Sequence, residues 1–227
     1  MIAAIALIYL SIIAYGSSQI QANYFIKSIN KGKRKSVALT FDDGPHPERT
    51  PRILDILREK NVKATFFVIG KNAEKYPDLL RRIDEEGHHI ANHSYSHSYL
   101  IAFFSGSRLT KDLARCNDVI FQTIGKTPTL FRPPFGVTNP LYKRALADNG
   151  LLSVGWSLRS LDTQAKSRYQ LIDKIISNLK KGDIVLLHDH PSVTADALED
   201  IIEHINTKRF EIEPLSKVIN QEPYVKL

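Results

Sequence analysis

Short apolar runs and longer amphipathic stretches alternate along most of this chain. Residues 36–41 (Ser-Val-Ala-Leu-Thr-Phe) are rich in side chains that favour a pleated, packed environment, and Gly44-Pro45 ends the run. Similar runs at 64–69, 89–93, 129–132, 151–158 and 183–188 predict buried strands, with a last extended segment over 210–219. Between them, apolar residues recur at helical spacing, as Ile53, Leu54 and Leu57 do within 50–60. Further helices are predicted over 73–86, 110–124, 140–149, 167–179 and 195–205, with Thr110 as an N-cap and Gly125 as a stop. Strands alternating with helices imply parallel strands joined by crossover helices. About seven strands in one α/β domain fit a distorted (β/α) barrel better than an open sheet.

The N-terminus breaks this pattern. Residues 2–14 are apolar except for Ser11, the length of a secretory h-region and short of the roughly 20 residues a spanning helix needs. Ala14-Tyr15-Gly16 is a small-x-small pattern suited to cleavage, although no Lys or Arg precedes the run. Residues 1–18 are therefore expected to be a signal peptide or a membrane anchor, 19–34 a basic linker, and 35–227 the folded domain.

Composition adds little to fold class but narrows function. The 227 residues are 43% hydrophobic and 24% charged, as in ordinary globular proteins. A net charge of +7 raises the question of an anionic partner. Its basic clusters, Lys27, Lys31, Lys33, Arg34 and Lys35, and then Lys180-Lys181, are not interleaved with aromatics as a single-strand platform would be, which argues against nucleic acid. Cys116 is the only cysteine, so disulfides and cysteine metal clusters are excluded, and its apolar helical setting predicts a buried inert thiol.

Polar groups gather at the predicted strand ends, where α/β proteins place their chemistry. Asp42 and Asp43 close the first strand; strand alternation would turn them to opposite sides and give them different tasks. His93 and His97, four apart, would share one face of a helical turn and could reach one ion, with a carboxylate completing a zinc-type ligand set. Arg132 precedes Pro133-Pro134-Phe135-Gly136, and its guanidinium could hold a carboxylate. Asp162 follows the strand containing Trp156 and reads as a turn or cap residue. His188 ends an apolar strand as a core histidine or a poised acid/base, with His190 as its rival.

Taken in order, Thr40-Phe41-Asp42-Asp43-Gly44, His93-Ser94-Tyr95-Ser96-His97, Arg132-Pro133-Pro134-Phe135-Gly136, Trp156 to Asp162, and Leu186-Leu187-His188 resemble five motifs. They are those of the polysaccharide deacetylase family, the NodB-homology or carbohydrate esterase family 4 domain, and the resemblance spans about residues 35–220. It implies a distorted (β/α) barrel carrying a metal-dependent hydrolase. The expected reaction is removal of N-acetyl groups from GlcNAc-containing polysaccharide, peptidoglycan or chitin-like. An O-acetyl esterase of the xylan type and a catalytically inactive carbohydrate-binding relative are the alternatives. By resemblance, Asp43, His93 and His97 are metal ligands, with Zn2+ ahead of Co2+, Ni2+ or Mn2+. Asp42 is the general base, Arg132 orients it, the Phe135 amide helps bind the oxyanion, and His188 is the general acid with Asp162 as its charge partner. The implied partner is an acetylated polysaccharide, and the implied location is extracytoplasmic, secreted or anchored at the cell envelope. The fourth motif departs from the family pattern. Arg159 stands where the family commonly has Asp, and Thr163 where it commonly has Trp, which predicts a less aromatic groove wall there.

Overall fold

A computed structural model describes residues 2–226, with side chains from residue 5. In chain order the elements are α1 (Ile2–Ser18), β1 (Ser28–Ile29), β2 (Ala38–Asp42), α2 (Arg49–Glu59), β3 (Thr65–Val68), α3 (Gly70–Lys75), α4 (Pro77–Glu85) and β4 (His89–Asn92). There follow α5 (Gly106–Ile124), β5 (Leu130–Phe131), α6 (Leu141–Asp148), β6 (Leu152–Val154), β7 (Leu158–Arg159), α7 (Arg168–Asn178), β8 (Ile184–His188), α8 (Ser192–Thr207) and α9 (Leu215–Ile219).

The strands form one parallel sheet in the order β1-β6-β5-β4-β3-β2-β8-β7. β6 lies next to one edge and β7 is the other edge, yet only residues 155–157 separate them. Four Cα–Cα steps span at most about 14 Å. The sheet must therefore curl until its edges approach, giving a distorted, incompletely closed barrel. Eight strands stand against about seven expected, because the single strand predicted over 151–158 changes partners and counts twice, β1 is added, and the segment over 210–219 supplies no strand to the sheet. Gly155 N–H bonds to Ile29 O at 3.0 Å, whereas Ser157 N–H bonds to Ile184 O at 3.2 Å.

Period-two alternation sorts the apolar side chains into two layers. Ala38, Phe67, Ala91, Val154, Ile184 and Leu186 form one cluster. Their strand neighbours Leu39, Phe41, Phe66, Ile90, Val185 and Leu187 face the helices, where Leu54, Ile83, Ile120, Ile175 and Ile202 join them. Cys116 is fully buried and unpaired.

Several local expectations are corrected. The helix predicted over 73–86 is two helices, because Pro77 opens a new one at its first turn. The long helix starts at Gly106 rather than near Thr110, and Ser105 caps it by accepting the Arg108 N–H at 3.3 Å. The extended segment over 210–219 reduces to one bridge, Ile212 to Val37, followed by α9. Residues 19–34, expected as a basic linker, supply the edge strand β1. Ile20 and Ile26 are buried, and Ser28 and Ser153 share a 2.7 Å hydroxyl contact. Apolar side chains of α1, Leu7 and Tyr9 among them, stand exposed, and its end is held by Ser17 Oγ donating to Thr138 O at 2.7 Å. Among the described residues no helix is long and apolar enough to cross a membrane.

Candidate active site

Every chemically singled-out side chain sits at or just beyond the carboxyl end of a strand. Asp42 of β2 is in register with His188 of β8, and Asn92 of β4 with Phe131 of β5. His93 and Arg132 are therefore the first residues past adjacent strands. A cavity of about 550 Å³ opens among them, lined by Asp42, Asp43, His93, His97, Phe135, Trp156, Arg159, Thr163, Leu186, His188 and others.

Asp43 does not turn away from Asp42. It lies past the strand in a left-handed conformation, φ 73°, which cancels the alternation expected of a continuing strand. Both carboxylates therefore face His93. Asp43 Oδ1 is 3.4 Å from His93 Nε2 and 3.2 Å from His97 Nε2, and Asp42 Oδ2 is 3.8 Å from His93 Nε2.

The two histidines do not ride a helical turn either. Residues 93–97 form an irregular loop with left-handed Ser94 and His97. Side chains pin it: Asn92 Oδ1 accepts the Ser94 N–H at 2.8 Å, and Ser94 Oγ accepts the His97 N–H at 3.0 Å. Asp112 Oδ1 accepts the Tyr95 N–H at 2.9 Å. His93 Nδ1 donates to Arg132 O at 2.8 Å, leaving Nε2 to face Asp43. Burial, with His93 alongside, pushes His97 down to about 4, so its imidazole is neutral at pH 7, the form that ligates metals.

Arg132 is fully buried. Its guanidinium donates to Asp42 Oδ1 at 2.7 Å, Thr40 Oγ1 at 2.9 Å and Gly155 O at 2.8 Å. It also lies 4.1 Å from the centre of the Phe67 ring. Asp42, 4% exposed, thus carries its charge against a fixed cation. Beyond Arg132, Phe135 adopts φ 59° and is half exposed. Gly136 follows at φ 67°, where a Cβ would fall 2.4 Å from the Trp156 ring. Glycine is required there on both counts.

His188 Nδ1 donates to Asp162 Oδ1 at 2.8 Å, and the His188 backbone N–H donates to Asp162 Oδ2 at 2.6 Å. Asp162 also takes the Thr163 N–H at 2.9 Å, so it serves its turn as well as the imidazole. Burial disfavours the His188 charge, but Asp162, with Asp42 and Asp43 behind it, outweighs that and raises His188 to about 9. Burial likewise opposes the Asp162 charge, and the His188 contacts reverse this and lower it. The rival His190 lies at the cavity rim, exposed, its ring centre 6.4 Å from that of His188.

Other residues join the site that strand-end reading misses. Thr40 shares Arg132 with Asp42, and Thr194 Oγ1 donates to Asp162 Oδ2 at 2.9 Å. Asp189 is fully buried, accepts Thr50 Oγ1 at 2.5 Å, and is pushed up to about 7 by burial. Its place directly after His188 was the available signal. Tyr99, 86% exposed, stacks on Phe135 with ring centres 5.4 Å apart. The wall carrying Arg159 and Thr163 lacks that aromatic surface, while the wall beside His97 has it.

Could these residues hold a metal? Asp43, His93 and His97 each offer one ligand atom, all within 4.8 Å of one another. Asp43 Oδ1 is buried and accepts no hydrogen bond, the state of a ligand atom awaiting a cation. One carboxylate and two imidazoles suit zinc and its neighbours.

The polysaccharide deacetylase family model matches residues 29–154. A peptidoglycan-N-acetylglucosamine deacetylase of Bacillus cereus is 36% identical over 179 residues, 77% of this chain and 65% of that protein. The peptidoglycan-N-acetylmuramic acid deacetylase PdaC of Bacillus subtilis is 32% identical over 185 residues, 82% of this chain and 39% of that protein. The chain thus spans under two thirds of either relative. The crystal structure of the Bc1960 peptidoglycan N-acetylglucosamine deacetylase superposes with a TM-score of 0.81 at 33% identity, covering 86% of this chain and 94% of that one. The chain belongs to the polysaccharide deacetylase family.

Proposed function

We propose that this protein is a metal-dependent hydrolase that removes N-acetyl groups from GlcNAc-containing polysaccharide outside the cytoplasm. The observation that carries this reading is the convergence of Asp43, His93 and His97 beside Asp42, with His188 on the same cavity. Peptidoglycan is the favoured polymer because both relatives described above are named for peptidoglycan sugars.

Asp43, His93 and His97 would hold the ion, zinc first by donor set. When bound, a divalent cation polarises the acetamido carbonyl and makes water a better nucleophile at neutral pH. The chain's own groups do the rest. Asp42, fixed by Arg132, accepts a proton from the attacking water as its oxygen bonds to the carbonyl carbon. The Phe135 amide donates to the developing oxyanion. His188, held through Nδ1 by Asp162, presents Nε2–H to the amide nitrogen. Its proton passes to that nitrogen as the C–N bond breaks, giving acetate and a free amine.

Purified protein with Zn2+ should release acetate from peptidoglycan strands or chitooligosaccharides, and chelation or Asp42→Asn should stop it. Acetate release from acetylxylan alone would assign it instead as an O-acetyl esterase. No release from any of the three would leave a carbohydrate-binding relative.

A further inference from the structure

The fourth-motif wall holds a cation that the deacetylation chemistry does not use. Among the described residues Arg159 is the only arginine lining the cavity. On β7 it is in register with Leu186 of β8, which also lines the cavity. Registered neighbours in a parallel ladder turn to the same face of the sheet. Leu158, one residue earlier, is buried in the cluster facing the helices, so Arg159 is directed to the cavity side. Among the described residues its guanidinium has no hydrogen bond or ion pair. Of the two carboxylates lining the cavity, Asp42 is held by Arg132 and Asp43 faces the paired imidazoles, and neither forms an ion pair with Arg159. Thr163 and His190 line the same cavity, and among the described residues no acid pairs with Arg159.

The aromatic part of the cavity is of another kind. There Tyr99 and Phe135 stack, and Phe135 lies 4.7 Å from the His97 ring. A sugar face suits that aromatic surface, while a planar, unpaired guanidinium suits a carboxylate, which it can bind through two parallel hydrogen bonds.

We propose that Arg159 is a specificity residue that binds a carboxylate on the polysaccharide, so that the preferred substrate is an acidic N-acetylated glycan rather than a neutral one. This rests on the deacetylase reading above and adds the charge of its substrate. The carboxylate can belong to the acetylated sugar itself, as a lactyl ether, or to a neighbouring uronic acid.

The test uses the full chain loaded with Zn2+ and three oligosaccharides of equal length: neutral chitooligosaccharide, one with 3-O-lactyl groups on alternate sugars, and one alternating with uronic acid. Acetate release gives kcat and KM, and calorimetry gives binding of each oligomer. The unsubstituted protein should prefer one acidic oligomer, which identifies the source of the carboxylate, and added salt should weaken that preference. Arg159→Gln should reduce the acidic-to-neutral ratio of kcat/KM by about tenfold or more, mainly through KM. Arg159→Lys should fall between, keeping the charge but losing the fork. A structural role would lower all three substrates together and leave the ratio unchanged, and that result would overturn the proposal. Equal use of neutral and acidic oligomers by the unsubstituted protein would overturn it too. If no oligomer is deacetylated, the enzymatic reading fails by itself; tighter, Arg159-dependent binding of an acidic oligomer would still uphold the carboxylate site, and its absence would remove it.

Discussion

Asp162 holds His188 by both oxygens at once, one on the imidazole Nδ1 at 2.8 Å and one on the backbone N–H at 2.6 Å. A carboxylate so placed fixes the ring, fixes its tautomer and favours its protonated form. The consequence is a pH profile. His188 is raised to about 9 from an ordinary 6.5, so the acid form is present at neutral pH and is lost as pH rises through about 9. Asp162→Asn removes the raising partner. The alkaline limb of kcat should move down toward neutrality, and kcat should fall by about 10²–10⁴. A pH–rate series on both proteins checks this, and an unmoved limb would remove Asp162 from its assigned role.

Arg132 and Asp42 are buried together, and neither tolerates loss of the other. Arg132→Met leaves a nearly buried carboxylate without its cation, with the Gly155 carbonyl and Thr40 also deprived. Urea unfolding should show a loss of about 3–5 kcal/mol. Acetate release should disappear as well, even under conditions where the variant is folded.

His93→Ala and His97→Ala each delete one ligand atom from the Asp43 cluster. Both variants should lose bound metal, measured by elemental analysis after dialysis, while their far-ultraviolet circular dichroism stays unchanged. His97, the less buried of the two, should perturb stability less.

Asp189 gives a stability prediction separate from catalysis. Its folded value of about 7 lies above the ordinary 3.8, so between these pH values the folded state binds a proton that the unfolded state does not. Stability contributed there is full below about 4 and declines as pH rises to 7, by up to about 1.4 kcal/mol per unit. Asp189→Asn should flatten this slope. Melting temperatures at pH 5 and pH 8 should converge relative to the unsubstituted protein.

Much of the barrel was legible because its strands are continuous apolar runs with glycine or proline punctuation. Residues 183–188 and 64–69 are strands within a residue of their predicted bounds for that reason. The N-terminal edge was hidden. β1 is two residues long in a lysine-rich stretch, and its partner is 125 residues away in sequence. The helical spacing of His93 and His97 predicted that the two imidazoles converge, as they do, but on a helical turn that the structure does not have. Their convergence depends on left-handed backbone at Ser94 and His97, which periodicity cannot register. Asp43 shows the same limit, since one positive φ reverses a side chain that alternation sends outward. Tyr99 was missed because an aromatic in a polar loop carries no periodic signal; only its stacking on Phe135 marks it.

The three-residue crossing between β6 and β7 has a double duty. It is the clasp of the hoop, and its Gly155 carbonyl is also where the guanidinium that aims Asp42 is tethered. Loosening the clasp would slacken the tether, so the reagent would go out of alignment before the hoop came apart. In this chain, fastening and aiming are one and the same joint.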